Sequence, residues 1–482
     1  MPTPTVTVVD DAPAPLRAGL AQLRSTLAVP DGFAPEVLAQ AENAARNVRL
    51  PEADLTGVEF VTIDPAGSVD LDQAVHIDRD GDGYLVRYAI ADVAGFVEPG
   101  GALDASCHER GETLYAPNRR TPLHPEVLSE GAASLLPGQV RPALVWHLRL
   151  DAAGEPTGTR VVRASVRSRR RYSYDEVQQL LDAGAAPEVL GLLREVGRLR
   201  EAAERARGGV SLGVPQQQVR AEGDRWSLEY RTTLPCEGWN AQISLLTGMA
   251  AAGLMLSAGV GILRTLPPAD DGAITRLRRR AQALGISWPQ RVPYPDFVRS
   301  LDAAQPRHAA MLNACTTLFR GAGYLAFAAG APADGPRHAA IAAPYAHVTA
   351  PLRRLVDRYA AEVCVAVSDG RTPPSWALEA LEQLPAEMTA SSRRAGSYAR
   401  GIVDLVEAMV LAPRIGERFA AVLIDVDSDR RAGRLQLREP AVEARVKGSR
   451  LRLGAEAAAT LVAADLVRGT VDFRVLHDAE TG

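Results

Sequence analysis

Lysine is all but missing from this 482-residue chain: Lys447 stands alone, and the other 53 of the 54 basic residues are arginine. Cysteine is scarce too. Cys107, Cys236, Cys315 and Cys364 lie far apart with no C-x-x-C pair, which argues against a zinc ribbon or a disulfide framework and suits a reducing cytoplasm. There is no excess of positive charge. The net charge of −4 excludes a protein coated in basic residues, so any nucleic-acid contact must be local. The opening residues MPTPTVTVVDDAPAP carry acids and prolines without a basic, apolar run, so a signal peptide is not expected. Long apolar runs are absent apart from Ile243 to Leu263, which Ser244, Thr247, Ser257 and four glycines dilute. That run reads as a core helix leading into a strand, and no membrane partner is expected.

What remains is ordinary globular material. Hydrophobic residues make up 46% and charged residues 23%, which fits neither a disordered nor a fibrous chain, and the length allows about three domains. The choice of arginine over lysine has two explanations: planar, bidentate binding of phosphate, or the codon bias of a GC-rich genome.

Residues 1–55 read as a small helical module. Leu16, Leu20 and Leu23 stand at helical spacing, Pro30-Asp31-Gly32 breaks the run, and a second helix follows from Ala34 to Asn47. Nucleic-acid binding and simple packing are both open for it. Strands start near Val58, with Glu59 to Ile63 and Tyr84 to Ala91 separated by the turn signal Asp80-Gly81-Asp82-Gly83. Residues 175 to 207 read as helical, with Val189, Leu192, Leu193, Val196 and Leu199 on one stripe and Gly208-Gly209 as the stop. From 413 to 482 short strand candidates at close spacing suit an OB-type barrel.

The richest stretch runs from Phe60 to His76. A strand delivers Asp64, Pro65 to Ser68 turn the chain, and Asp70 and Asp72, two apart, point to one side of an extended segment. Gathered carboxylates repel, so a positive partner must offset them or one must hold a proton. Oxygen ligands without His or Cys select magnesium, with manganese as the alternative ion. Loop-capping aspartates would give the same spacing. Further on, Tyr345-Ala-His347-Val-Thr349-Ala-Pro351-Leu-Arg353-Arg354 reads as the opening of a helix. Thr349 would be its cap, and Arg353 and Arg354 would sit in its first turn, where free N–H groups favour an arriving phosphate.

These stretches resemble the ribonuclease II (RNB-domain) family, in a short form without its usual N-terminal cold-shock domains. Its signature starts T-I-D and continues D-x-D-D. Asp64, Asp70 and Asp72 match its first three metal-site acids, and Gln73 stands where the fourth is usually Asp. The likeness extends through Ala89 to Ala94, Arg110 to Pro117, Pro122 to Pro125 and Arg141 to Leu144. It implies that Tyr115 stacks near the last nucleotides and that Tyr174, after the arginine run 169–171, lies at the mouth of a channel. Arg353 matches the arginine that clamps the scissile phosphate, in a T-S-P-I-R-[RK]-Y motif whose Ser and Tyr are here Ala350 and Leu355. Ala241, Gln242 and Ser392 stand where the family is usually acidic.

The resemblance implies an α+β fold: an RNB catalytic core of mixed sheet and helices over residues 56–412, the helical module before it and an OB-fold β-barrel over 413–482. It implies magnesium-dependent hydrolysis of single-stranded RNA from the 3′ end to nucleoside 5′-monophosphates, and a cytoplasmic monomer is expected. Asp72 and Arg353 would be catalytic, Asp64, Asp70 and Asp72 would hold the metal, and Tyr115, Tyr174 and Arg354 would bind RNA. In the last domain Phe419 and Phe473 are the aromatics available for base stacking, beside Arg430, Arg431, Arg434 and Arg450. The departures at Gln73 and Ser392 keep an RNA-binding protein with a decayed site as the alternative.

Overall fold

Five strands cannot alternate direction all the way round a closed sheet, so one neighbouring pair must run parallel. This chain meets that constraint twice, and the first instance builds the site. The computed structural model describes residues 14–475 except 117–118, 214–215, 223–224, 232, 304, 320, 333–335, 428–430, 438, 441 and 449–450. The leading residues 1–13, Pro117, Ala441, Arg430 and Arg450 therefore lie outside the described residues.

Helices α1 (Ala14–Thr26) and α2 (Pro35–Arg46) lead. Strands β1 (Phe60–Asp64), β2 (Gln73–Asp80) and β3 (Gly83–Ala91) follow, the last two joined by a two-residue turn with Gly81 at φ +62°. Gly81 fills the first central position, where a tight hairpin turn needs a positive φ. Helix α3 (Ala102–Arg110) and a short hairpin of β4 (Leu114–Ala116) and β5 (Arg119–Thr121) precede two long strands, β6 (Val140–Leu150) and β7 (Pro156–Ser173). β1, β2, β3, β6 and β7 close into a barrel. Its parallel pair is β1 with β7, which sets Asp64 opposite Ser173. The end of β1, the start of β2 and the end of β7 thus share one rim.

The expected helical stretch 175–207 is two helices, α4 (Tyr174–Asp182) and α5 (Glu188–Ala206). Gly184 at φ +66° and Pro187 break it, since the residue before a proline is driven out of helical geometry. Ser173 caps α4 by accepting the Glu176 N–H at 3.2 Å. A hairpin of β8 (Gln216–Glu222) and β9 (Arg225–Arg231) leads to α6 (Pro235–Ala258), which runs into β10 (Gly261–Thr265). By length and composition α6 is apolar enough to cross a membrane. Its Cys236, Trp239, Ile243, Leu246 and Met255 are buried, and it packs against α5 and α10 (Leu355–Ser368), as a core helix does. Between them lie α7 (Asp271–Ala283), α8 (Tyr294–Arg299), α9 (Pro306–Cys315) and β11 (Gly323–Phe327), the last paired with β10. Helices α11 (Ser375–Ala380) and α12 (Leu384–Leu411) complete the helical layer.

The second barrel comprises β12 (Arg418–Asp427), β13 (Ala432–Leu437), β14 (Glu443–Lys447), β15 (Glu456–Asp465) and β16 (Thr470–Val475), with β14 and β16 as its parallel pair. This is the expected OB-type barrel, although β15, rich in alanine, gave no strand signal. One expectation fails. Phe419 and Phe473 are 4% and 1% exposed and meet edge to face at 5.7 Å inside the barrel, so they fill its core and offer no platform for bases.

The two leading helices serve different cores. Leu16 and Leu20 of α1 join the C-terminal barrel and α12, whereas Val37 and Ala41 of α2 join the first barrel. Their apolar faces are therefore packing faces. All four cysteines are free and buried.

His124 links the first core to pH. It is fully enclosed, with Nε2 donating to the Pro351 carbonyl at 3.1 Å and Nδ1 3.2 Å from Cys107 Sγ. Desolvation lowers its pKa to about 4 from 6.5. Because the folded value is depressed, the unfolded chain binds the proton first. Stability is whole above pH 6.5 and is lost as pH falls towards 4, on the order of 3 kcal/mol from this group at full extent. Asp64 and Asp72 are shifted the other way, so the effect is read by difference. The Tm of wild type should fall more steeply between pH 6.5 and 5 than that of His124→Gln, and equal slopes would remove His124 as the responsible group.

Candidate active site

The rim of the first barrel gathers three aspartates from one loop. Asp64 ends β1. Leu71 is wholly buried, so its neighbours Asp70 and Asp72 face the opposite way, as the alternation of an extended segment demands. Ser134 fixes this loop: its hydroxyl accepts the Leu71 N–H at 2.9 Å and donates to the Val69 carbonyl at 2.7 Å. The Ala91 N–H donates to the Asp72 carbonyl at 2.9 Å, tying the loop to the end of β3.

Some 280 residues later the chain returns to these acids. Leu352 N–H donates to Asp72 Oδ1 at 2.7 Å, and Arg353 Nε lies 3.3 Å from Asp72 Oδ2. The expected helix start is corrected here. Residues 349–354 are not helical: α10 begins at Leu355, and Arg354 occupies its N-cap position in extended geometry. The reason is a competing partner. Residues 350–354 make one turn, with the Arg353 and Arg354 N–H groups donating to the Ala350 carbonyl at 3.2 and 2.9 Å. Thr113 N–H then donates to the Arg353 carbonyl at 3.0 Å and Leu355 N–H to the Gly111 carbonyl at 2.9 Å, which holds Arg354 extended against residues 111–113. Gly111 stands at φ +71°, and a Cβ there would lie 2.5 Å from that of Ser391, so only glycine fits. Asp357 Oδ1 accepts the Ala350 N–H at 2.7 Å, and the Leu352 N–H that a Thr349 cap would have taken goes to Asp72.

Charge is balanced unevenly. Burial pushes the Asp72 carboxyl up to about 7 and that of Asp64 to about 6, with the Arg353 guanidinium opposing both. Asp64 Oδ2 is buried with no hydrogen-bond partner. Asp70 is held by Arg120 at 2.7 Å, and Arg120 also pairs with Glu130. Among the described residues no three Asp, Glu, His or Cys side chains are grouped tightly enough to cage a metal ion. Arg353 and Arg120 instead lie among the three acids. The orphaned oxygen of Asp64 and two carboxyls destabilised by burial nevertheless suit a cation, which would offset that cost through hard oxygen ligands.

The expected RNA contacts divide. Tyr115 on β4 is 45% exposed, with its hydroxyl 3.5 Å from Asp70 Oδ2, so its ring borders the acids and remains open. Tyr174 starts α4 beside Asp64, and its hydroxyl accepts from Asn240 Nδ2 at 3.4 Å. Arg354 is turned away into a bidentate pair with Asp357, both contacts at 2.9 Å. Three participants escaped the sequence reading: Arg120, which neutralises Asp70; Asp357, which anchors the arginine segment; and Asn240, which also reaches the Ile63 carbonyl at 3.4 Å. Only Asp357 had a signal, its i+3 spacing from Arg354. Near the drifted position Ser392, Ser391 donates to Glu112 Oε1 at 2.9 Å, and Arg394 donates to the Glu109 and Arg110 carbonyls at 3.0 and 2.8 Å, docking α12 on the end of α3.

The family described as RNB domain matches residues 52–368, and that described as RNase II-type exonuclease C-terminal S1 domain matches 417–476. The chain belongs to the RNB-domain family. Ribonuclease R of Escherichia coli is 26% identical over 422 residues, covering 82% of this chain and 51% of that protein. Exoribonuclease 2 of Serratia proteamaculans is 36% identical over 171 residues, 35% of this chain and 26% of that one. The chain thus spans about half or less of the length of these relatives. The RNB fold is shared with Mycoplasma genitalium RNase R in complex with ribose-methylated single-stranded RNA, at a TM-score of 0.84 and 18% identity over 96% of this chain and 78% of that one. Yeast Ssd1, a pseudonuclease, shares it at a TM-score of 0.65 and 17% identity over 85% and 51%. The fold alone therefore does not decide activity among proteins that share it.

Asp357 supplies a test of this architecture. It is wholly buried and balances Arg354, whose side chain is 22% exposed. Asp357→Ala should cost about 3–5 kcal/mol in urea unfolding, the range for stripping the partner from a buried charge. A cost below about 1 kcal/mol, typical of exposed pairs, would show the pair to be superficial.

Proposed function

We propose that this chain is a 3′-to-5′ exoribonuclease that hydrolyses single-stranded RNA to nucleoside 5′-monophosphates with magnesium, or manganese in its place. The observation that carries the reading is the meeting of Asp64, Asp70 and Asp72 with Arg353, residues from opposite ends of the RNB region. In the reaction water attacks the last phosphorus. Its oxygen becomes part of the product phosphate, the P–O3′ bond breaks, and the departing 3′ oxygen takes up a proton. Asp64, Asp70 and Asp72 would hold the cation, which when bound supplies charge neutralisation at the phosphate and a more acidic water. Arg353, half exposed beside Asp72, aims a guanidinium at the charge that builds on the non-bridging oxygens. Tyr115 offers its open ring face to the terminal base, an attraction of about 1–3 kcal/mol that tolerates any sequence. A 2′-OH contact would let the site prefer RNA to DNA.

The assignment of Arg354 to RNA binding is revised in this reading. Its pairing with Asp357 makes it a strut of the segment that carries Arg353. The four buried thiols accord with a reducing cytoplasm.

The test is stepwise shortening of a 5′-labelled RNA in magnesium. Asp72→Asn should abolish cleavage and keep RNA binding, because charge is lost while shape is kept. Arg353→Ala should lower kcat by roughly 10³, as loss of an arginine that stabilises transferring phosphoryl charge does. Tight binding by wild type without any product would select the decayed-site alternative.

A further inference from the structure

Gln73 follows the last of the three acids and opens β2, at the same rim. Its amide is spoken for on both sides. Nε2 donates to the Thr349 carbonyl at 2.5 Å, and Oε1 accepts the Tyr88 hydroxyl at 2.6 Å. A carbonyl can only accept, so the NH2 group must face Thr349 and the amide oxygen must face Tyr88. Tyr88, having donated, then accepts from the Ser244 hydroxyl at 2.8 Å. The result is a directed chain, Ser244 to Tyr88 to Gln73 to Thr349, drawn from α6, β3, β2 and the loop before α10. Tyr88 is 1% exposed, so the chain runs through the core and competes little with water.

Its end point matters. Thr349 begins the non-helical segment whose Ala350 N–H is held by Asp357, whose Leu352 N–H is held by Asp72 and whose Arg353 lies on Asp72. Gln73 holds the first residue of that segment across 276 positions of sequence. We propose that Gln73 is a positioning residue that sets Arg353 through the Thr349 carbonyl, and that it is not a cation ligand. This rests on the exoribonuclease reading for its kinetic consequence. The amide oxygen, the one atom of the group that could ligate, is turned to the Tyr88 hydroxyl in the core while the NH2 group faces Thr349, and a carboxylate in its place would set an acceptor against the Thr349 carbonyl. Placement errors of about 1 Å can cost up to about 10²-fold in rate without weakening binding.

The experiment compares wild type, Gln73→Met and Gln73→Glu, the last of nearly the same shape so that loose packing is controlled, with far-UV circular dichroism as the check on folding. Three quantities are read: kcat and KM on labelled single-stranded RNA, Mn2+ binding by titration of its paramagnetic resonance, and amide exchange at Ala350 and Leu352. Both variants should lose roughly 10- to 100-fold in kcat with KM unchanged. Their Mn2+ affinity should equal that of wild type, and exchange at the two amides should quicken. A ligand at this position would behave oppositely, so tighter Mn2+ binding or a raised kcat in Gln73→Glu overturns the proposal. So does a wild-type kcat in Gln73→Met. Should wild type itself leave RNA intact, the nuclease reading falls separately. Amide exchange then still decides the anchor, quickening in its favour and unchanged rates against it.

Discussion

The contact between Asp72 and the segment 352–353 holds the candidate site together. Asp72 is almost fully buried, and burying a carboxylate is costly unless its oxygens are satisfied. One oxygen takes the Leu352 N–H and the other faces Arg353, so the burden of desolvation becomes the force that fixes the arginine. Without the barrel rim the acid would be solvated and would have no need of that partner. Without the returning segment the rim would carry unbalanced charge. Each makes the other affordable.

Barrel closure sets the stage for this. An odd strand count forces one parallel pair, here β1 with β7, and that pairing brings Asp64, Ser173 and so Tyr174 to one edge. The antiparallel return of β2 puts Gln73 at the same edge. Side chains from β1, β2, α4 and the loop between β1 and β2 thus converge without any of them leaving a regular element or its immediate flank. The helices α6 and α10 brace the barrel and supply Ser244, Asn240 and Asp357 from behind. Rigid elements hold the chemistry, which is what an electrostatic site requires, since its donors must be in place before charge develops.

The balance of charge is distinctive. Arginine meets each acid region differently: Arg120 pairs with Asp70 and Glu130, Arg353 with Asp72, and Arg354 with Asp357, leaving one oxygen of Asp64 unmatched. The protein's near-exclusive use of arginine fits these bidentate and branched contacts better than a point-charged ammonium would. The Tyr88–Gln73–Thr349 chain shows the same logic with neutral groups.

The acids and the arginine pair could be read from the chain because each rests on spacing within a few residues, and the RNB likeness and the OB-type end domain because they are runs of such local signals. Alternation alone put Asp70 and Asp72 on one side of the segment, and the buried Leu71 agrees. The sequence could not say that the turn at 350–354 would stop short of a helix and leave Arg354 extended. Local signals favoured a helix there, with a capping Thr and a first-turn Pro, and they lost to backbone pairing with Gly111 and Thr113, residues some 240 positions away. Nor could it say that Phe419 and Phe473 would fill a barrel, that Arg354 would turn to Asp357, or that Gln73 would reach Thr349. Short-range preference is worth tenths of a kcal/mol to about one per residue, whereas a buried acceptor left unpaired costs about 1–3. Wherever the two conflict, the tertiary partner decides.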